Sequence, residues 1–402
     1  MIWPWVAGAA TVGAVGLGAA TTRELRRRAL HRWLLPNLFA KPRPRPKPGE
    51  PIDVLIAVCD HFEPMQGKTA SDQAKTRVQQ WLDQYPRLFE RFRDSDGYPP
   101  RHSYFYPEEE YDPEYLEMLA DLCRAGYGEV EIHLHHDNDT ADNLRRTLLN
   151  FKRTLAERHG LLSRDKETGE IVYGFIHGNW ALDNARCDGR WCGVNNELNV
   201  LRETGCYADF TLPSAPSETQ TRTINSIYWA VDDPHRPKSH DTGVEIGAGP
   251  RPKDSLLMIQ GPLALDWQVR KWGIFPGVEN ACLQKNQPPN ERRLKHWIDT
   301  GVSVSTRPNW CFVKLHTHGA KDPNQDVLLG EPMVRFHELL RAEADRNPLF
   351  RYHYVTAREM ANIALAAVSG IETTIEEARN FRYVPLEQIG QAASTSREIA
   401  TA

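Results

Sequence analysis

The sequence predicts an α/β fold built around a parallel sheet, open or closed. Three observations point to it. Apolar, strand-like runs alternate with amphipathic helical stretches over about 300 residues, the pattern of repeated strand–helix units. The first such run, Ile52–Val58 (IDVLIAV), is apolar almost throughout, as a strand covered on both faces must be. Histidines follow directly on four of these runs.

The elements succeed one another in order. Thr69–Phe92 carries helical spacing at Val78, Leu82, Tyr85 and Phe89. Pro113–Ala125 is a short helix closed by Gly126 and Gly128, Glu129–Leu134 a strand, and Thr140–His159 an amphipathic helix on Leu144, Leu148, Phe151 and Leu155. Strands at Ile171–Ile176 and Ala208–Leu212 flank a helix at Glu197–Glu203. Leu256–Gln260, Trp310–Leu315 and Tyr352–Val355 are further strands, and Met333–Arg346 and Ala357–Ser369 the last helices. Pro, Gly and Ser break this rhythm across residues 214–255, an expected insertion. Residues 371–402 read as a peripheral tail.

Charge separates the chain into two parts. Residues 1–50 hold nine Lys/Arg against Glu24 and Glu50, a balance of +7; the whole chain is −4, so the other 352 residues carry −11. A globular part that acidic argues against nucleic acid as a partner, because phosphates demand a basic face. Ile2–Ala20 is uncharged for 19 residues, about 28 Å as a helix at ~1.5 Å per residue, enough to span a bilayer core. Trp3 and Trp5 suit an interface, and no basic residue precedes the run as a cleaved signal would require. We read residues 1–22 as a transmembrane anchor. The basic cluster TTRELRRRALHRW follows it, which by the positive-inside rule places the catalytic domain on the cytoplasmic side of the membrane. KPRPRPKPGEP completes a juxtamembrane linker over 23–50, expected to be an extended spacer that lifts the domain off the bilayer. The seven cysteines include no zinc-ribbon spacing; Cys187 and Cys192 are close enough to invite a metal or redox reading that nothing else in the sequence supports.

Seven of the fifteen histidines fall in four places, each after an apolar run: His61 in IAVCDHFEP; His133, His135 and His136 in EVEIHLHHDND; His177 in VYGFIHGNW; His316 and His318 in CFVKLHTHGA. The C-terminal ends of parallel strands meet on one side of a sheet, where active sites gather. Imidazoles and carboxylates converging there suit a divalent metal such as zinc, with two His and one Asp leaving a position open for water. Such an ion acidifies water and polarises a carbonyl.

These residues resemble the polysaccharide deacetylase superfamily, in order and roughly in spacing, over about residues 52–365. The resemblance implies a distorted (β/α) barrel of about seven parallel strands. It aligns Asp60–His61 with the family's first motif, a catalytic base followed by a metal ligand. Glu131–Ile132 then leads to His135, with Asp139 four residues on, where the family has two ligating histidines. LRETGCYADFTLPS (201–214) matches the stretch that re-enters the sheet, and Leu315–His316 the late motif whose histidine is the general acid. His61 stands where the family has Asp, and Asp139 where it has His, so the implied ligand set is His61, His135 and Asp139. No Arg occurs in GFIHGNW to steady the base, which leaves His177 or Asn179 for that task.

Other readings stand beside these roles. Strand alternation sends His133 and His135 to one face and His136 to the other, where it is an outer-shell or core residue. Asp137 either orients a ligating imidazole or caps a helix, and His318 is a partner of His316 or an alternative ligand. Glu63 supplies the carboxylate if Asp60 is itself a ligand. Asp183 binds substrate or starts a helix; Trp180 and Trp191 stack on a sugar ring or fill the core.

The expected function is metal-dependent removal of an acyl group, N-acetyl in the first instance, from a sugar of a cell-surface glycan or its lipid- or nucleotide-linked precursor. A glycoside hydrolase is the rival class; it would need two carboxylates across the scissile bond, with Glu63 and Asp183 or Asp209 as the pair. A sugar-binding scaffold derived from an enzyme is the third. Chelation separates the first two, and metal content separates both from a scaffold.

Overall fold

The computed structural model describes residues 22–39, 43–67, 69–271 and 273–386; the expected anchor Ile2–Ala20 lies outside them. No helix of the described residues is long and apolar enough to cross a membrane. The strands are β1 (Ile52–His61), β2 (His102–Pro107), β3 (Gly128–Leu134), β4 (Ser163–Asp165), β5 (Ile171–His177), β6 (Cys206–Asp209) and β7 (Ile227–Val231). There follow β8 (Val244–Glu245), β9 (Ser255–Ile259), β10 (Ala264–Lys271), β11 (Phe275–Glu279), β12 (Trp310–Thr317), β13 (Phe350–Tyr354) and β14 (Tyr383–Pro385). The helices are α1 (Leu30–Leu38), α2 (Ser71–Phe89), α3 (Pro113–Arg124), α4 (Ala141–Arg153) and α5 (Glu197–Thr204), then α6 (Glu291–Thr300), α7 (Asp322–Leu328), α8 (Glu331–Arg346), α9 (Ala357–Val368) and α10 (Ile375–Ala378).

The protein is a mixed α/β fold with a mostly parallel central sheet. The sheet runs β12–β1–β2–β3–β5–β6–β9 in parallel, and β7 and β8 extend it antiparallel. One edge of β1 is shared: β13 pairs Ile52–Ile56, and β2 pairs Cys59–His61. Among the described residues no ladder joins β12 to the far end of the sheet. The Lys314 ammonium instead reaches from β12 to the carbonyls of Phe210 and Leu212, just past β6.

Alternation along β1 explains the core. Val54, Ile56 and Val58 enter one apolar cluster with α2, α3 and α4, whereas Leu55, Ala57 and Cys59 enter another with α9. Successive side chains of a strand point to opposite faces, so a strand covered on both must be apolar at every position. The helix-bearing face of α2–α4 also takes Leu134 and Phe175, and the α9 face takes Ile176 and Phe312. This parity decides which catalytic-type side chains can meet.

Four expectations change. β2 was not anticipated: it opens with the polar pair His102–Ser103 after Pro99–Pro100, which hides the alternation of Tyr104, Phe105 and Tyr106. β1 and β12 run on to His61 and Thr317, because the backbone ladder continues through polar residues as readily as through apolar ones. The 23–50 stretch is no free spacer: Leu30 and Trp33 are buried with Ala215, Ile224 and Leu263, and Arg43 and Arg45 donate to the carbonyls of Ile224 (3.1 Å) and Asp299 (2.6 Å). The stretch after Ile371 carries Arg379, only 1 % exposed, which pairs with Asp94, Asp96 and Glu359. That residue is structural, not peripheral.

Candidate metal centre

The C-terminal ends of β1, β3 and β12 converge on the face away from α2. His61, at the end of β1, stacks on His318 with ring centroids 4.6 Å apart and meets His133 edge-on at 4.9 Å. The chain then turns, with the Glu63 N–H donating to the His61 carbonyl (3.1 Å), and the turn folds the Glu63 carboxylate inward until it is 2 % exposed. One ligand atom from each of His61, Glu63 and His133 lies within 4.8 Å of the others. His135, on the same face of the strand end as His133, sets its Nε2 3.6 Å from Glu63 Oε1, and its Nδ1 is held by Glu109.

Hydrogen bonding orients the donors of this group. His133 donates from Nδ1 to the Ile176 carbonyl (2.7 Å), which turns Nε2 toward Glu63 Oε1 at 3.1 Å. A neutral imidazole so tethered faces the carboxylate with a lone pair, an arrangement that calls for a proton or a metal between them. Burial would raise the Glu63 carboxyl, but His133, His318 and His135 outweigh it and hold it at about 2. The other oxygen, Oε2, is buried without a hydrogen-bond partner. Burial, with His318, His133 and His316 beside it, drives His61 well below the usual imidazole range. His318 is pushed down to about 4 by burial. His61 and His318, both lowered, offer lone pairs beside the Glu63 carboxylate, and imidazole and carboxylate are donors that zinc accepts.

Behind His318 and Trp180, which pack against His61, lies a cleft of about 1050 Å³ that His316 also lines. His316 reaches it from β12 with its Nδ1 buried and unpartnered. Trp180 stands edge-on to both His61 and His318 at 6.2 Å. The remaining lining includes Gln66, Asn179, Ser214, Ser217, Asn280, Gln284, Gln287 and Asn324, together with Arg27 and Arg28 from the segment leading into α1.

The expected site residues are brought together only in part. His61, His135 and His316 do gather, but Glu63 and His133 complete the compact donor group in place of His135 and Asp139. Asp139 lies instead 3.2 Å from His136 Nδ1, in the loop that follows the end of β3. Asp60, expected as the base, has the parity of Val58 and lies under α2. Its Oδ2 accepts from His102 (2.8 Å) and its Oδ1 from the Gly319 N–H (2.5 Å), with Trp81 packed over the His102 ring. His177 does not steady Asp60: its Nε2 faces Glu197 at 3.4 Å. Asp137 neither orients an imidazole nor caps α4; it accepts the Trp191 N–H at 2.7 Å, and Thr140 is the residue that caps the helix. Asp183 accepts the Ser239 N–H at 2.6 Å, and Asp209 is tied to Thr211. His102, Glu109 and Glu197 were missed. Only Glu109 carried a signal, in the run Glu108–Glu110 closing a Tyr-rich segment.

No known family profile matches the chain, and no curated protein matches it. Among solved structures it is similar to one described as "putative polysaccharide deacetylase from Mycobacterium smegmatis", at 14 % identity and a TM-score of 0.36, over 76 % of this chain and 95 % of that one. At that level the similarity shows neither family nor activity.

Proposed function

We propose that this chain is a metal-dependent hydrolase of the polysaccharide deacetylase type, removing an acyl group, N-acetyl first among them, from a sugar. The observation that carries the reading is the buried Glu63 carboxylate facing His133 and His135, beside His61, one residue in from the His318 wall of a cleft. His61, Glu63 and His133 would hold the ion, two imidazoles and one carboxylate, the donor count of an open catalytic zinc site. Bound there, zinc would supply Lewis acidity toward an acyl carbonyl and acidify a water molecule. His135, oriented by Glu109, is placed to take up a proton at Nε2, and His316 and His318 to return one to the leaving amine. Asp60, with both oxygens engaged, positions the turn that carries His318. On this reading the sheet is a distorted barrel whose seam Lys314 spans.

Carbohydrate as substrate is supported by the cleft's lining. Neutral amides and hydroxyls beside the indole of Trp180 match hydroxyl groups and an apolar sugar face. The segment leading into α1 forms part of the wall, so an anchor at Ile2–Ala20 would keep the cleft near a bilayer and favour a lipid-linked sugar.

The test is release of acetate from N-acetylated oligosaccharides by the full chain before and after chelation. Activity lost on chelation, restored by zinc, and lowered at least about 100-fold in Glu63→Gln is the expected result. Acyl release by the metal-free protein, or cleavage of the glycosidic bond instead, overturns the assignment.

A further inference from the structure

The opposite face of the sheet carries a second group of donors. His136 follows β3, His177 ends β5, Glu197 opens α5, and Cys192 lies on the segment 178–196 between β5 and α5. One ligand atom from each of the four lies within 4.8 Å of the rest, and Cys192, His177 and Glu197 are wholly buried.

Their polar contacts converge on the Glu197 carboxylate. His177 donates from Nδ1 to the Gly178 carbonyl (2.6 Å), so its Nε2 bears a lone pair, and that nitrogen has no hydrogen-bond partner although it lies 3.4 Å from Glu197 Oε1. A buried lone pair opposite a carboxylate oxygen is repulsive unless a cation sits between them. His136 has its Nδ1 beside Asp139 Oδ2 (3.2 Å) and its Nε2 toward the same Glu197 Oε1 (3.2 Å). A carboxylate or carbonyl on one ring nitrogen, with the other aimed at a shared point, is how ligating histidines are oriented. Cys192 Sγ accepts backbone N–H groups from Asn184 (3.3 Å) and Val194 (3.4 Å), and its thiol proton is directed at Glu197 Oε2 (3.3 Å), the proton that a bound metal would displace.

We propose that His136, His177, Cys192 and Glu197 form a divalent-metal site, with zinc the ion it fits, distinct from the His61/Glu63/His133 centre. The chemistry selects the ion: two imidazoles, one thiolate and one carboxylate are all zinc ligands, four in number as in closed structural sites, and their two negative charges balance a divalent cation. The site ties the 178–196 segment to the strand ends. That segment carries Asn179, Trp180, Asp183, Asn184 and Trp191 at positive φ; Asn and Asp adopt it readily, but Trp180 and Trp191 hold it at a cost that the surroundings must offset. Because Asn179 and Trp180 line the cleft, the metal holds one of its walls in place. The inference does not depend on the deacetylase reading.

The experiment is metal analysis of the purified full chain loaded with zinc and, separately, with cobalt(II). Expected are sulfur in the metal's ligand shell by X-ray absorption and a thiolate-to-cobalt charge-transfer band. Cys192→Ser should abolish both, and Cys192→Ser/Glu197→Gln should lose one equivalent of metal per chain. Asp139→Asn should weaken binding about 10–100-fold through His136. Glu63→Gln, which removes the cleft ion, should leave the band intact, so the two sites fail separately. If the double variant does not fold, the isosteric Cys192→Ser carries the spectroscopic readout alone. A wild-type spectrum without sulfur ligation, a band that survives Cys192→Ser, or unchanged metal in the folded double variant overturns the proposal.

Discussion

The backbone N–H of Gly319 donates to Oδ1 of Asp60 across 2.5 Å, with the other carboxylate oxygen already occupied by His102. The close approach is possible only without a side chain: a Cβ on Gly319 would collide with Oδ2 of Asp60 and press on the Trp81 ring. Gly319→Ala should therefore cost about 1–3 kcal/mol through overpacking. The denaturation midpoint would fall at unchanged m-value. Wild-type stability in that variant would mean that the turn carrying His318 is not held by Asp60.

His135 and Glu63 should separate in mutagenesis. His135→Gln is expected to keep its metal and lose about 10²–10⁴-fold in kcat, as for a lost proton-transfer group. Glu63→Gln should lose the cleft ion itself. Equal metal loss in both variants would make His135 a ligand, as the sequence resemblance implied.

Acid should destabilise the fold through its buried neutral histidines. His337 lies among Phe89, Phe92, Phe336 and Tyr354, and burial alone pushes it down to about 3. An unfolded histidine titrates near ~6.5. Between those values the unfolded chain binds a proton that the folded one does not, so stability is lost as pH falls through that window, by about 1.4 kcal/mol per pH unit for this group. His337→Leu should flatten the profile by that slope when unfolding is measured from pH 7 to 4.5. Parallel profiles would show that His337 does not stay neutral in the folded state.

Arg379 is the only cation that pairs with both Asp94 and Asp96 among the described residues, and it also pairs with Glu359. Replacing it with methionine strands buried carboxylates, for which about 3–5 kcal/mol is expected. Thermal unfolding of Arg379→Met should show it, whereas a loosely attached C-terminal segment would give almost no change.

The sequence alone determined β1, β3, β5, β9, β12 and β13 and the longer helices, though not β2, because burial on two faces forces unbroken apolar stretches and burial on one face forces helical spacing. It also placed His133 on the face opposite Ile132 and Leu134, since side-chain parity is a local property of a strand. What it could not decide was which residues from different strands share a face at the end of the sheet. Register between strands far apart in sequence settles that. It sends Asp60 beneath α2 to His102 and joins His61 to Glu63 and His133. It also draws Asp139 away to His136 and brings Glu197, which no motif marked, and Cys192, whose spacing from Cys187 alone had invited a metal reading, against His177. Those meetings exist only once β2, β3, β5 and β12 lie side by side, because a carboxylate and an imidazole tens of residues apart acquire a distance only from the fold.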